Sequence, residues 1–291
     1  MVKELRQKTG VGMMECKKAL VETKGDLESA IDLMRKKGIS KAQKKAGRIT
    51  AEGVIAIAKK NGVGAIVEVN AETDFVARNS DFQDFAKGVV ETAIENGECV
   101  DSLKKSKYAG GEKSVADVLT DKIASIGENL SIRRSATIKA DAIASYIHGS
   151  VADNMGKIGV LVGLKGSDNS KLEEVGKKVA MHIAAAKPDF LSVADVSDEV
   201  KNREEKILKD QALASGKPEA VVEKMLVGRM QKFFGEIVLL EQAFVMEPKK
   251  KVKDILKEAG AELTEYKAFI LGDGIEKKCE NLADEVAKQL S

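Results

Sequence analysis

The stretch Gly53-Val-Ile-Ala-Ile-Ala-Lys-Lys-Asn-Gly-Val-Gly-Ala-Ile-Val-Glu-Val69 decides the fold class. Two apolar runs, 53–59 and 64–69, flank Lys60-Asn61-Gly62, and an Asn-Gly pair between such runs signals a tight antiparallel hairpin. The second run reads as a buried strand. It leads into Glu68-Val-Asn-Ala-Glu-Thr-Asp-Phe-Val-Ala-Arg78, where an acidic, hydroxylated turn carries Asp74 and Phe75 just ahead of a helix. A strand end presents side chains rigidly, and loops held by a scaffold tend to carry function. On local pattern alone Phe75 reads as a plug of the core and Asp74 as a turn former. The alternative is an outward pair that presses one charge and one ring into a partner.

Downstream, Ser80 is expected to cap a helix with the buried stripe Phe82, Phe85, Ala86, Val89, Val90, Ala93 and Ile94. Residues 98–113 read as a loop, 115–126 as a helix, and 130–136 as a strand entered through Gly127-Glu-Asn129. The pattern then recurs. Tyr146-Ile-His148-Gly149 and Lys157-Ile-Gly-Val-Leu-Val-Gly-Leu164 resemble the first hairpin, with Gly159-Val-Leu-Val answering Gly64-Ala-Ile-Val, and a helix follows over 172–186. These repeats predict an α+β core of two similar strand–strand–helix subdomains, 51–140 and 141–195 with 235–272. Residues 196–234 interrupt the second. Val200, Ile207 and Ala214 keep a seven-residue spacing, Ser215-Gly-Lys-Pro218 turns the chain, and Val222, Met225, Leu226, Met230 and Phe233 share a face of the return helix. An antiparallel coiled-coil hairpin is expected there, its Met and Leu stripe serving as hairpin core. An apolar extended patch, Phe244-Val245-Met246-Glu-Pro248, precedes a helix (252–258), a strand (263–271) and a C-terminal amphipathic helix module (273–291).

Upstream, residues 1–38 read as a three-helix domain. Thr9-Gly-Val-Gly12 breaks the first helix, Gly25-Asp26 ends the second and caps the third, and Gly38 is expected to close it. Met13, Cys16 and Leu20 fall on one face of the second helix. Residues 39–50 then read as a basic linker. The first fifty residues hold thirteen Lys/Arg against six Asp/Glu, a net of +7 that leaves −5 for the remainder. Arg35, Lys36, Lys37, Lys41, Lys44, Lys45 and Arg48 form an acid-free run. A phosphate-binding patch, a solvated linker and a surface matched to an acidic protein all remain open readings.

Composition excludes more than it assigns. At 291 residues, 43% hydrophobic and 32% charged, the chain is expected to fold into two or three compact units. It has no apolar run of membrane-spanning length and no apolar signal segment, so a cytoplasmic address is the default. Three scattered cysteines and two histidines argue against a disulfide framework, structural zinc or a histidine-based site, so neither metal nor cofactor is expected. With no tryptophan and 4% aromatic residues, stacking on nucleic acid has little material. Gly111-Glu-Lys-Ser114 lacks the glycine that a phosphate-binding loop needs before its lysine, and the Gly-x-Gly pairs lack a third glycine. His182 sits on an otherwise apolar helix and reads as a satisfied core histidine rather than a catalytic one. The chain reads as a binding protein, not an enzyme.

Two segments add a resemblance. Leu5-Arg-Gln-Lys-Thr-Gly-Val-Gly-Met-Met-Glu-Cys-Lys-Lys-Ala-Leu20 resembles the N-terminal signature of the translation elongation factor Ts family, and Glu68–Arg78 resembles its second signature. Ile126-Gly-Glu-Asn129, Tyr146-x-His148-Gly149 and Phe244–Pro248 also resemble that family, in the same order and across essentially the whole chain. The resemblance implies a guanine-nucleotide exchange factor that binds elongation factor Tu and disturbs its magnesium and nucleotide site. It implies a ubiquitin-associated-like N-terminal domain and no direct nucleotide or membrane binding, and it gives no role to nucleic acid. It assigns partner contacts to Met13, Met14, Lys17, Thr73, Asp74, Phe75, Val76, Ile126, Gly127, His148, Val245 and Met246, with Phe75 as an outward wedge. A homodimer or a two-to-two complex with elongation factor Tu stays open. Two departures stand out: the chain starts later than is usual, so its first helix is expected to fray, and Ala243 stands where proline is common.

Overall fold

The computed structural model describes residues 1–9, 11–97, 99–214 and 218–276. It is an α+β structure: helices lead the chain and antiparallel sheets follow. The N-terminal helices α1 (Val2–Thr9), α2 (Met13–Glu22) and α3 (Leu27–Lys45) enclose a small core of Leu5, Val11, Cys16, Ala19, Leu20 and Ala30. Asp26 caps α3 by accepting from the Ser29 amide at 2.6 Å. Met13, read on one face with Cys16 and Leu20, is exposed while those two are buried, and Val11 joins them in the core.

The expected stop at Gly38 is not made. A mid-helix glycine costs only about 1 kcal/mol, and the residues beyond it favour helix. Gly38 is itself buried, and a Cβ there would meet Ala124 at 3.6 Å. Ala42 packs on the main core. The basic run is therefore largely helical rather than a loose tether.

The hairpin forms as β1 (Glu52–Lys60) and β2 (Val63–Ala71). Asn61 and Gly62 take φ of 52° and 73°, the left-handed pair that a two-residue hairpin turn requires. There follow the single turn α4 (Asp74–Ala77), then α5 (Ser80–Asn96), α6 (Val100–Lys105) and α7 (Val115–Ile126). Asn79, not Ser80, caps α5, accepting from the Asp81 amide at 2.8 Å. Helix α6 lies where only loop was expected; buried Leu103 anchors it, with Val100 packed on the same core. Strand β3 (Leu130–Lys139) pairs with β2, while β4 (Ala142–His148), the two-residue β5 (Met155–Gly156) and β6 (Ile158–Lys165) lead to α8 (Asn169–Ala186). Helices α9 (Asp198–Ala214) and α10 (Glu219–Ile237) pack together before β7 (Ala243–Phe244), β8 (Glu247–Lys251), α11 (Val252–Glu258) and β9 (Glu262–Ile270).

The strands make a four-stranded sheet, β3-β2-β1-β5, a three-stranded sheet, β4-β6-β9, and the ribbon β7-β8. Alternation along each strand builds the layers. In β1 and β2, Val54, Ala56, Ala65 and Val67 face α5, while Ile55, Ile57 and Ile66 face Leu161 and Phe269 of the second sheet. In β6, Val160, Val162 and Leu164 turn the other way, onto α8. Strands covered on both faces read as continuous apolar runs. Glycines let the sheets approach: a Cβ at Gly159 would lie 2.5 Å from Ile55 Cγ2.

In α9 the expected spacing of Val200, Ile207 and Ala214 is not the seam. Ala212 is buried, with Lys201, Glu204 and Leu208 partly covered on the same side, while Val200 and Ile207 stand outside. Seven-residue spacing fits either side of a helix, and the polar–apolar balance of α9 did not distinguish them. The hairpin turn (215–217) and the helix expected from Ile275 onward, beyond 276, lie outside the described residues.

Candidate functional site

The chain leaves β2 at Ala71 and immediately exposes Phe75. Its side chain is 81% accessible, the most exposed large apolar side chain among the described residues. Asp74 beside it is also exposed. Val76, expected among the contact residues, is buried with Ala77, because one helical turn that points its first two side chains outward turns the next two inward.

The turn is pinned by a reciprocal clasp with the 126–129 loop. The Glu128 carboxylate accepts from the Thr73 amide at 3.0 Å and the Thr73 hydroxyl at 2.7 Å. In return, the Glu72 carboxylate accepts from the Asn129 amide. Arg48 pairs with Glu72 at 3.3 Å, and its carbonyl accepts from the Asn129 side chain at 2.9 Å. Lys45 reaches the carbonyl of Gly127, whose φ of 89° ends α7 in the left-handed conformation. Charge-assisted bonds to backbone amides are short and strong, so Phe75, Ile126 and Gly127 are held as one unit.

These contacts also account for the basic run. Arg35 pairs with Asp117 at 3.0 Å, Lys37 with Glu22 and Lys41 with Glu15 at 2.5 Å each. With Lys45 and Arg48 bound to the clasp, five of the seven cations are engaged within the chain. That disfavours the phosphate-patch reading.

A second apolar tip lies at the β7–β8 turn. Phe244 and Glu247 pair, leaving Val245 and Met246 as a two-residue turn. Such turns favour Asn and Gly; here both residues are apolar, exposed, and without positive φ. Val245, Met246, Tyr146, His148, Met181 and buried His182 line a cleft of about 330 Å³. His148 stands exposed at the end of β4, its Nδ1 at 3.2 Å from the Tyr146 hydroxyl. His182 is almost wholly enclosed, at 1% exposure. Burial holds its imidazole below the ordinary range, against an opposing pull from the Gln242 hydrogen bond.

A third apolar group lies on α2, where Met13 and Met14 project into solvent beside exposed Lys17 while Cys16 and Leu20 turn inward.

Comparison with known proteins adds the decisive observation. The family described as Elongation factor TS matches residues 72–273, which span both the Phe75 turn and the β7–β8 tip. The chain belongs to the elongation factor Ts family. The elongation factor Ts of Paracoccus denitrificans is 52% identical over 288 residues, covering 99% of this chain and 96% of the relative. That of Rhodospirillum centenum is 49% identical over 296 residues, covering 99% and 96%. That of Magnetococcus marinus is 50% identical over 299 residues, covering 99% and 97%.

Within this elongation factor Ts fold the expected contact residues fall into three groups. Thr73, Asp74, Phe75, Ile126 and Gly127 share the clasped unit, His148, Val245 and Met246 share the cleft, and Met13, Met14 and Lys17 share α2. Sequence reasoning missed Glu72, Glu128 and Arg48 as the devices that hold the first group. Glu128 stood inside the quoted Ile126-Gly-Glu-Asn129 motif, so its signal was visible; its partner, 55 residues away, was not. It also missed Glu68, wholly buried, which binds Arg133 at 3.1 Å, Arg134, the Asn70 side-chain nitrogen and the Gly272 backbone amide. Burial pushes the Glu68 carboxyl up, and the bonds from Gly272, Asn70 and Arg134 together bring it below its ordinary value.

Proposed function

We propose that the three exposed groups make one discontinuous surface for the GTPase, in which Phe75 disturbs the nucleotide site and the other groups supply the hold. Membership of the elongation factor Ts family makes the chain a guanine-nucleotide exchange factor for elongation factor Tu, without catalytic chemistry of its own, acting in translation elongation in the cytoplasm. The assignment of contacts rests on one observation above the rest: a phenylalanine 81% exposed on a turn fixed from two sides.

Magnitudes set the division of labour. Burying Phe75 in a partner contributes about 1.5–3 kcal/mol, whereas a nucleotide held at nanomolar affinity is bound by about 12 kcal/mol. The ring cannot expel it unaided. A wide surface that prefers the nucleotide-free GTPase lowers nucleotide affinity by the same factor, because coupling is reciprocal. Phe75 then gives that energy a direction.

The same reading divides the chain into a three-helix domain (1–38) whose last helix runs on into the basic segment (39–50), two related core subdomains, a coiled-coil hairpin insertion (196–234) and a C-terminal module (273–291). Support for the related subdomains comes from β2 with α5 and β6 with α8, and from Gly64 and Gly159, which both border the layer between the sheets.

The experiment is release of labelled GDP from elongation factor Tu, followed with the chain and with Phe75→Ala. Wild-type chain accelerates release, and Phe75→Ala still forms the complex but accelerates release far less. A Phe75→Ala chain as fast as wild type removes the wedge role.

A further inference from the structure

His182 is more than core filling. Its Nδ1 lies 3.2 Å from the Val245 amide and its Nε2 2.9 Å from Gln242 Oε1, while Gln242 Nε2 donates to the Glu236 carbonyl at 2.8 Å. The polarity of this relay is forced. The Val245 amide is a donor, so Nδ1 must carry the lone pair and Nε2 the proton. That proton meets the Gln242 carbonyl oxygen, and the Gln242 amide group faces a backbone carbonyl. Each polar group has its complement, and the imidazole is neutral. The Phe244 ring, 5.6 Å from the imidazole, covers it.

The relay joins three elements: the C-terminal part of α8, the last turn of α10, and the tip of the β7–β8 ribbon. The ribbon itself is weakly specified. It pairs only short strands, with a register irregularity at Ala243/Phe244, and its tip lacks the residues that favour a tight turn. An amide bonded to a buried side chain supplies the orientation that the turn chemistry does not.

We propose that His182 is a positioning residue for the Val245–Met246 tip, holding it in the posture that meets the GTPase and tying that posture to the base of the α9–α10 hairpin. The proposal rests on the reading of Val245 and Met246 as partner contacts. It assigns His182 no contact with the GTPase.

Two substitutions separate the arms of the relay. His182→Asn places an amide oxygen near the Nδ1 position and keeps an acceptor for Val245; His182→Gln reaches toward Gln242 and leaves the Val245 amide without its acceptor. With Gln, the Val245 amide exchanges faster with deuterium, and affinity for nucleotide-free elongation factor Tu falls about five- to tenfold, the scale of one lost buried hydrogen bond. The plateau rate of GDP release stays near wild type, since Phe75 is untouched. With Asn, both amide protection and affinity stay close to wild type. A merely structural histidine would make the two variants equally damaging, and that result overturns the proposal. So does a Gln variant with wild-type affinity. Imidazole nitrogen shifts of the wild-type chain provide a reading independent of variant folding: the Nε2–H tautomer is expected, and the Nδ1–H tautomer overturns the relay. Met246→Ala separates this proposal from the reading beneath it. Wild-type affinity there removes the tip as a contact, whereas lost affinity there with an unaffected His182→Gln removes only the role of His182.

Discussion

The Phe75 turn and the Val245–Met246 tip solve the same problem with opposite chemistry. Each must keep apolar side chains in water on a short turn that would otherwise bury them. At Phe75 the anchor is charged and lies at the surface: the Glu72 and Glu128 carboxylates each take an amide from the other's loop, with Arg48 and Lys45 beside them. At Val245 the anchor is neutral and lies in the core, a single buried imidazole set between the Val245 amide and the Gln242 side chain. The difference teaches that rigidity and proton sensitivity are separable. A doubled carboxylate clasp resists the loss of any one bond. A lone histidine holds only while it remains unprotonated.

The largest effect is expected at the ring itself. Phe75→Ala should slow stimulated GDP release by tenfold or more, on the order of the 1.4 kcal/mol that a factor of ten represents, with complex formation retained; stopped-flow release and a pull-down check the two parts. Next comes Glu128→Ala, which strips the Thr73 amide and hydroxyl of their acceptor. Leaving such groups unpaired costs about 1–3 kcal/mol, so a lower thermal midpoint and slower release should appear together. If release is unaffected, the clasp is scaffolding and not part of the exchange device. A smaller effect separates the anchors by pH. Burial depresses the His182 pKa below its unfolded value of 6.5, so the unfolded chain binds the proton first. Its contribution is complete above that value and is lost as pH falls from 6.5 through the folded pKa, with a slope of at most about 1.4 kcal/mol per pH unit. His148 and Tyr146 line the same cleft, so the comparison is made against His182→Asn, in which this part of the slope disappears from the melting profile. The smallest effect is expected from Met246→Ala, a few-fold loss of affinity with the plateau release rate unchanged.

Much of the framework was legible because it is local. Asn61-Gly62 specified its turn, the α5 stripe specified a buried face, and Asp26 announced a helix start by a bond three residues long. What was illegible depends on distant partners. α3 continues through Gly38 because its second half has α7 to pack against, with Lys45 reaching the Gly127 carbonyl 82 residues along. The seam of α9 depends on which side α10 takes, and spacing alone does not say. The proposed contact residues came only from resemblance to a family, since an exposed Phe and a core Phe look alike in a strand-end turn. Their anchors were hidden for the reason that α3 was: Thr73 and Glu128 meet only once β3 has paired with β2, and His182 and Val245 only once the β7–β8 ribbon has packed on α8.

The central claim is that the two tips do different work, one directing the binding energy and the other contributing a share of it. The direct measurement is the rate of GDP release from elongation factor Tu as a function of chain concentration, for wild type, Phe75→Ala and Met246→Ala. The account predicts a lowered plateau with little change in half-saturation for Phe75→Ala, and an unchanged plateau reached at higher concentration for Met246→Ala. Plateaus lowered alike by both substitutions would contradict it.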